Sequence, residues 1–386
     1  METFDTTKFE FAQASLLQSV NKQIQILSAQ KPRTCPEIYL GVFDRLKIKT
    51  LPLKERESKS SIEKIAVNPD SLLPDMKSRE SIKKIASAII KARKNNCPVV
   101  IAFGAHLIKN GLSLVLRRMI EEGFVTHLAT NGAGSIHDWE FAFQGKTEED
   151  VEKYVKVGQF GIWEETGKYI NLALILGAIN KEGYGESIGR LISNEELVIP
   201  MDMKDKELQE KLRKARAEGR IEVKHLFKRY SVQESAFFHK IPFTVHPGFG
   251  YDIIYTHHLS HGESIGKTAE IDFLRYVESI SKLEGGVYIS IGSAIMSPMV
   301  FEKSLSMARN VLHQEQKKIE DFMIVINDIK GTDWDFGFGQ EPPKTNPAYY
   351  ERFCKTFKRM GAREIYYINE DNKNFLLGLY NCLKNG

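Results

Sequence analysis

The chain has 386 residues, enough for one large α/β domain or two ordinary ones. Its 54 basic and 50 acidic residues leave a net charge of +4, too weak a bias for nucleic acid or an anionic membrane, so neither is expected as a partner. The four scattered cysteines (Cys35, Cys97, Cys354, Cys382) form no CxxC pair, no apolar run is long enough for a bilayer, and METFDTTKFEFAQ lacks a signal-peptide core. A cytoplasmic protein with reduced thiols and no bound metal is expected.

Residues 1–80 read as an N-terminal helix and loop-rich arm. Within 9–29, Phe11, Leu16, Leu17, Val20, Ile24, Ile26 and Leu27 recur near helical spacing, whereas 50–80 are rich in Lys, Glu, Ser and Pro. Residues 81–386 read as a single α/β nucleotide-binding domain. After a helix over 80–94 come six β-rich runs, at 98–106, 124–134, 241–250, 286–294, 322–329 and 364–371. Several are nearly continuous apolar runs, as strands covered on both faces should be. Helical patterns at 107–123, 170–192, 272–283 and 298–312 alternate with them. The alternation predicts a mostly parallel, Rossmann-like sheet with helices on both faces. Ser297-Pro298 reads as a helix N-cap with proline behind it, Gly123 as a left-handed helix stop, and the charged 200–235 stretch as a helical excursion.

In an open parallel sheet, ligands sit beyond the carboxyl ends of the strands. This sequence loads those positions. The first strand delivers Gly104, Ala105 and His106; the second Thr130, Asn131, Gly132, Ala133 and Gly134, then His137 and Asp138. The third gives His246, Gly248, Gly250 and Asp252, the fourth Gly292 and Ser293, the fifth Asn327 and Asp328. Glycine lets a backbone approach a ligand closely, and amides at a helix start favour phosphates. Each signal alone also fits a turn, a structural histidine or a helix cap; five loaded ends together point to a site. His257, His258 and His261 invite a metal reading, but Ser260 and Gly262 argue for a loop there, and no second motif completes a ligand set. The glycine-interrupted 334-WDFGFG-339 reads as an ordered loop.

Over most of 95–340 these segments resemble, in order, the deoxyhypusine synthase family, whose fold belongs to the NAD/FAD-binding, sirtuin-like group. The stretch 98–138 resembles that family's first nucleotide-binding strand, helix and Thr-Thr-Ala-Gly-Gly-x-Glu-Glu-Asp turn. The segment 189-GRLISNEEL-197 resembles its Gly-Asn-Leu-Leu-Val-Pro-Asn-Glu-x-Tyr, 234–253 the stretch ending in its Asp-Gly-Ser-x-Gly-Asp loop, and 322–337 its Tyr-Ile-Asn-Thr strand and following loop. The resemblance implies NAD at Gly104–His106, Thr130–Gly134, Gly292–Ser293 and Asn327. It also implies a polyamine-holding role for Asp252 and a homo-oligomer, dimer or tetramer. The departures are specific. Ile136 and His137 replace the family's paired glutamates, Lys240 stands where its histidine precedes Ile-Pro, and its Gly-Lys-Ile motif has no counterpart, Lys344 being the nearest lysine.

The resulting expectation is an NAD-dependent enzyme, of transferase or oxidoreductase type, acting on a small polar metabolite less cationic than a polyamine. Deoxyhypusine synthesis itself is not expected, because the imine-forming lysine is missing. His106, His137 and His246 are candidates for proton transfer, with Asp138 or Asp252 to orient a histidine or pair with substrate. Two other readings stay open: a non-catalytic nucleotide-binding homo-oligomer, and a metal-assisted hydrolase or lyase using His137, Asp138, His246 and Asp252.

Overall fold

A computed structural model describes residues 18–22, 41–71, 76–330, 334–335 and 341–386. The chain falls into two compact units, Met1–Lys47 and Ile48–Gly386. In the first, residues 18–22 are helical and Arg45–Lys47 form a 3-10 turn; the remainder of the helix expected over 9–29 lies outside the described residues. The second unit is the α/β body. Its boundary lies well before residue 80, because Leu53, Arg56 and Ile62 are buried in it.

Six strands make the main sheet: β1 (Val99–Phe103), β2 (His127–Asn131), β3 (Phe243–His246), β4 (Val287–Ile291), β5 (Met323–Asn327) and β6 (Glu364–Ile368). Every adjacent pair is parallel, in the order β6-β5-β4-β1-β2-β3. This confirms the Rossmann-like expectation, and the order reverses between β1 and β4. Phe103 pairs in register with both Thr130 and Ile291, Ile291 with Asn327, and Asn131 with His246. The tips therefore end level, on one rim.

Alternate side chains of each strand feed two cores, which is why the runs are apolar without alternating. Val99, Ile101 and Phe103 pack with Ile82, Ile85 and Ile89 of α1 (Arg79–Lys94). Val100, Ala102 and Tyr288 pack on the opposite face with Tyr276, Phe301 and Phe357. Between β1 and β2 run α2 (Ala105–Lys109) and α3 (Ser113–Glu121). After β2 come α4 (Gly132–Gln144), α5 (Glu164–Asn180), α6 (Tyr184–Asn194), α7 (Lys206–Lys214) and α8 (Val232–Phe238). The later strands are followed by α9 (Gly262–Ser281), α10 (Met296–Gln314), α11 (Arg352–Lys358) and α12 (Asn372–Lys384). Among the described residues no helix is long and apolar enough to cross a membrane.

Several boundaries differ from the sequence reading. The helix expected over 107–123 breaks at Gly111, whose φ is +78° and whose carbonyl accepts from the Val67 amide at 2.9 Å. The one expected over 170–192 breaks where Lys181 takes φ 61° and caps α5. The 200–235 excursion is not helical throughout: between α7 and α8 it contains the strand Gly219–Glu222, which pairs antiparallel with Glu196–Ile199. α10 starts at Met296, two residues before Pro298, with Ile295 as its N-cap. Gly123 is left-handed as expected, at φ +74°.

A Cβ at Gly111 would lie 2.1 Å from the Ile65 carbonyl oxygen, so this glycine is demanded by both backbone angle and space. Gly111→Ala is expected to lower unfolding free energy by more than about 1 kcal/mol in chemical denaturation.

Candidate functional site

Two groups of residues gather on the rim. The first lies at the β1/β4 switch point. Gly104 follows β1 and touches β4 so closely that a Cβ there would be 2.2 Å from the Gly292 oxygen. Gly292 itself has φ +54°. Its amide donates to the Asn327 carbonyl at 2.9 Å, and the Gly104 amide donates to the Ile291 carbonyl at 3.1 Å. Ser293 Oγ accepts from the Ser297 amide at the start of α10 at 3.1 Å. Asn327 Nδ2 donates to Asn372 Oδ1 at 2.9 Å, while Asn327 Oδ1 is buried without a partner. Gly104, Gly292, Ser293 and Asn327, distant in sequence, therefore meet at one point of the rim.

The second group surrounds a cavity of about 220 Å³. It is lined by Ala133, His137 and Glu140 of α4, by Arg56 and Lys109, by Glu148 and Glu149, and by Tyr251 and Asp252. A helix brings residues three and four apart to one face, which is how α4 presents Ala133, His137 and Glu140 together. Glu140 is buried and accepts two bonds from the Arg56 guanidinium, each 2.8 Å, plus one each from Thr147 and Thr166. Burial is the largest single influence and opposes its charge, but Arg56, with His137 and Thr147, holds the carboxylate below its ordinary range.

This pair fixes the state of His137. Thr147 has one hydroxyl proton and gives it to the Glu140 carboxylate, which can only accept. The 2.7 Å contact between Thr147 Oγ1 and His137 Nδ1 must then carry the proton of His137. The imidazole is left with Nε2 as its free acceptor. Burial pushes its pKa down to about 4, so it is neutral at physiological pH.

The other acids differ in how fully they are satisfied. Glu148, in a left-handed backbone at φ 69°, pairs with Lys109 at 2.8 Å and accepts from Ser60 at 2.8 Å. Glu149 accepts from Trp163 Nε1 at 2.8 Å and the Gly161 amide at 3.0 Å. Asp252 has no such partner for Oδ2, which is buried. Its carboxylate stands over the first turn of α4: a Cβ on Gly132 would be 2.1 Å from Oδ2. Burial raises its pKa to about 6, opposed by the Gly248 amide. The hydroxyls of Tyr184 and Tyr255, near enough that the Asp252 charge raises both phenol pKa values after burial itself, are also without partners.

The remaining sequence candidates are placed as follows. Thr130 is buried and donates to the Phe103 carbonyl at 2.9 Å, tying β2 to β1. Asn131 caps α4 by accepting from the Gly134 amide at 2.9 Å, and Gly134 packs over Thr130. Ala105 and exposed His106 open α2. Asp138 is buried away from the cavity. Its two oxygens accept from Ser231 Oγ at 2.6 Å, from the Val232 and Gln233 amides at 2.8 and 3.2 Å, and from Gln233 Nε2 at 3.0 Å. Those bonds make it a cap for α8. His246 ends β3 and faces α9, bonding Thr244 at 3.2 Å. A metal set of His137, Asp138, His246 and Asp252 is thus not assembled. Among the described residues, three ligand-type side chains with donor atoms within 4.8 Å of one another occur at Asp205, His261 and Glu263, on the surface. His257 instead contacts Glu164 at 3.3 Å and stacks near His258.

Sequence reasoning missed Arg56, Lys109, Glu140, Glu148, Glu149, Tyr184 and Tyr255. Glu140 was legible, three residues after His137 on one helix. Arg56, Lys109, Glu148 and Glu149 reach the cavity from separate segments, and Tyr184 and Tyr255 approach Asp252 from others. A larger cleft, about 590 Å³, runs along the outer edge of β3 by Phe237, Lys240 and Arg275. It lies at the start of that strand, opposite the rim, and holds none of these unpartnered atoms.

No protein-family model matches the chain, and no curated protein matches it. Solved structures do. The complex of AgrE with ornithine and NAD+ is 15% identical at a TM-score of 0.45, with 82% of this chain covered. An LOR/SDH-assigned protein from Methanococcus maripaludis S2 is 12% identical at 0.42, covering 87% of this chain and 74% of that one. A protein assigned as a deoxyhypusine synthase from Entamoeba histolytica is 12% identical at 0.33, covering 64% and 78%. This chain spans only 34% of the length of AgrE. At such scores the likenesses carry no argument about chemistry; the architecture rests on the strand pairing itself.

The raised pKa of Asp252 has a defined sign in stability. Its native state favours the neutral acid, so stability is greatest below the unfolded carboxyl pKa and is lost as pH rises toward about 6. Asp252→Asn is expected to abolish that decline, making the variant more stable than the parent at pH 8 by roughly 1–3 kcal/mol and near equal at pH 4 in denaturant titrations.

Proposed function

We propose that the chain binds a nicotinamide dinucleotide at the β1/β4 switch point and performs hydride-transfer chemistry on a small polar metabolite in the adjoining cavity. The observation that carries this reading is the strand order, which reverses where Gly104 meets Gly292 and so opens a crevice at the carboxyl ends of the strands. The residues there fit such a group. Gly292 is partly exposed, Asn327 Oδ1 is an unused buried acceptor, and the 19-residue α10 begins just beyond Ser293. Gly104, Gly292, Ser293 and Asn327 would hold the cofactor, which when bound supplies the hydride acceptor or donor.

The first turn of α4 is a poorer phosphate seat, because the Asp252 carboxylate already stands over Gly132. Ala133 of that turn lines the cavity, while Thr130, Asn131 and Gly134 are taken up in tying β2 to β1 and capping α4. In the cavity, His137 Nε2 accepts a proton or hydrogen bond from the substrate. Asp252 Oδ2, flanked by the Tyr184 and Tyr255 hydroxyls, takes a hydroxyl or amine donor. Lys109, the lysine that lines the cavity, is engaged by Glu148 at 2.8 Å and does not stand in the family's Gly-Lys-Ile motif. That supports a reaction other than deoxyhypusine synthesis.

Calorimetric titration of NAD into the full chain is expected to show saturable binding with Kd below about 1 mM. Gly104→Val, which drives a side chain into the Gly292 carbonyl, is expected to abolish it. An absence of heat at millimolar NAD with the parent protein rejects the proposal.

A further inference from the structure

A second line of polar side chains crosses the sheet on its α9 face, apart from the cavity. His246 Nε2 lies 3.2 Å from Thr244 Oγ1, Thr244 Oγ1 lies 2.9 Å from His127 Nε2, and His127 Nδ1 lies 2.7 Å from Ser279 Oγ. The parallel register of β2 and β3 creates it. Ala129 is opposite Thr244 and Asn131 is opposite His246, so His127, Thr244 and His246 project from one face. The two middle members, Thr244 and His127, are fully buried. The two ends, His246 at the rim and Ser279 on α9, are partly exposed. The chain of three hydrogen bonds thus runs from surface to surface through the protein.

Tyr276 meets both imidazoles edge to face, at 5.4 Å for His127 and 5.1 Å for His246, and so fixes their planes. Burial lowers both pKa values, to about 3 for His127 and about 4 for His246, which keeps both rings neutral. A neutral imidazole has one donor and one acceptor nitrogen, and a hydroxyl can donate and accept at once. All four groups can therefore point the same way: His246 donates to Thr244, Thr244 to His127, His127 to Ser279, and Ser279 to solvent.

We propose that His246, Thr244, His127 and Ser279 form a proton relay between the strand rim and solvent beside α9. A proton added to His246 Nδ1 releases the one on Nε2 to Thr244. Thr244 passes its own to His127 Nε2, His127 passes its Nδ1 proton to Ser279, and Ser279 gives one to water. One proton enters, one leaves, and every member is neutral at the end; the next passage runs in the opposite sense, so the chain exchanges protons between its two ends. A neighbouring line has no such capacity. Tyr276 donates to Tyr288, which meets Ser297, and all three are buried, so that line ends inside the protein.

The relay does not rest on the proposed hydride chemistry, since its line of bonds lies apart from the cavity. Its test needs no ligand. In the full chain labelled with 15N-histidine, exchange of the His127 ring N–H with water is measured by NMR. A relay makes Thr244→Val and Ser279→Ala slow that exchange by about tenfold or more, with Thr244→Ser restoring it. A merely structural tie gives the opposite sign, because removing a partner loosens a buried N–H and speeds its exchange. Unchanged or faster exchange in both variants, with His127 still folded in place by its chemical shift, overturns the relay. That outcome with NAD binding intact leaves the cofactor reading standing; loss of NAD binding with slowed exchange in the variants does the reverse.

Discussion

A parallel strand cannot be reached from its neighbour by a short hairpin; the chain must return to the far end of the sheet each time, here through helical segments. That constraint organises the molecule. Six strands run the same way, so all six carboxyl ends meet on one rim, and every connection leaving that rim begins with a turn. The residues at the strand tips, Gly104, Gly292 and Asn327 among them, are therefore the same residues that meet at the switch point. Site and scaffold are one set of positions. The register matters as much as the direction, because level tips let a residue of β1 touch one of β4 at van der Waals range.

The rim divides into two electrostatic districts. At the switch point the chemistry is backbone and amide, and neutral. The cavity is lined by four carboxylates, and their fates diverge with their partners. Glu140 is neutralised by a guanidinium, Glu148 by an ammonium, and Glu149 by two N–H donors. Asp252 alone of the four retains a buried oxygen with nothing to bind. An unsatisfied buried acceptor costs free energy in the ligand-free protein, and that cost is what a complementary donor would relieve on binding.

The strands were readable in sequence because burial on both faces leaves nearly unbroken apolar runs such as 99-VVIAF-103 and 323-MIVIN-327. The glycine- and histidine-rich tips were readable because nothing in a buried strand calls for such residues. Helix interruptions were less so: Gly111 sits in a helical pattern and breaks it only because the Ile65 carbonyl crosses there. Asp138 and Asp252 looked alike in sequence, each an acid just past a glycine-rich tip. Their difference lies in which amides come to meet them, and the donors to Asp138 are supplied by 231–233, more than ninety residues away. Glu148 and Glu149 escaped notice for the same reason, as did the pairing of Glu140, since no local pattern says that Arg56 will dock against it.

That docking carries a consequence for how the cavity comes into being. Arg56 enters from a segment 84 positions upstream of Glu140 and is as deeply interred as its partner. A carboxylate sealed from water without its counter-ion is strongly unfavourable. The upstream strap therefore works as a keystone: the wall of the pocket, and with it the tautomer of His137, is settled only when a remote stretch of polypeptide has been laid in place.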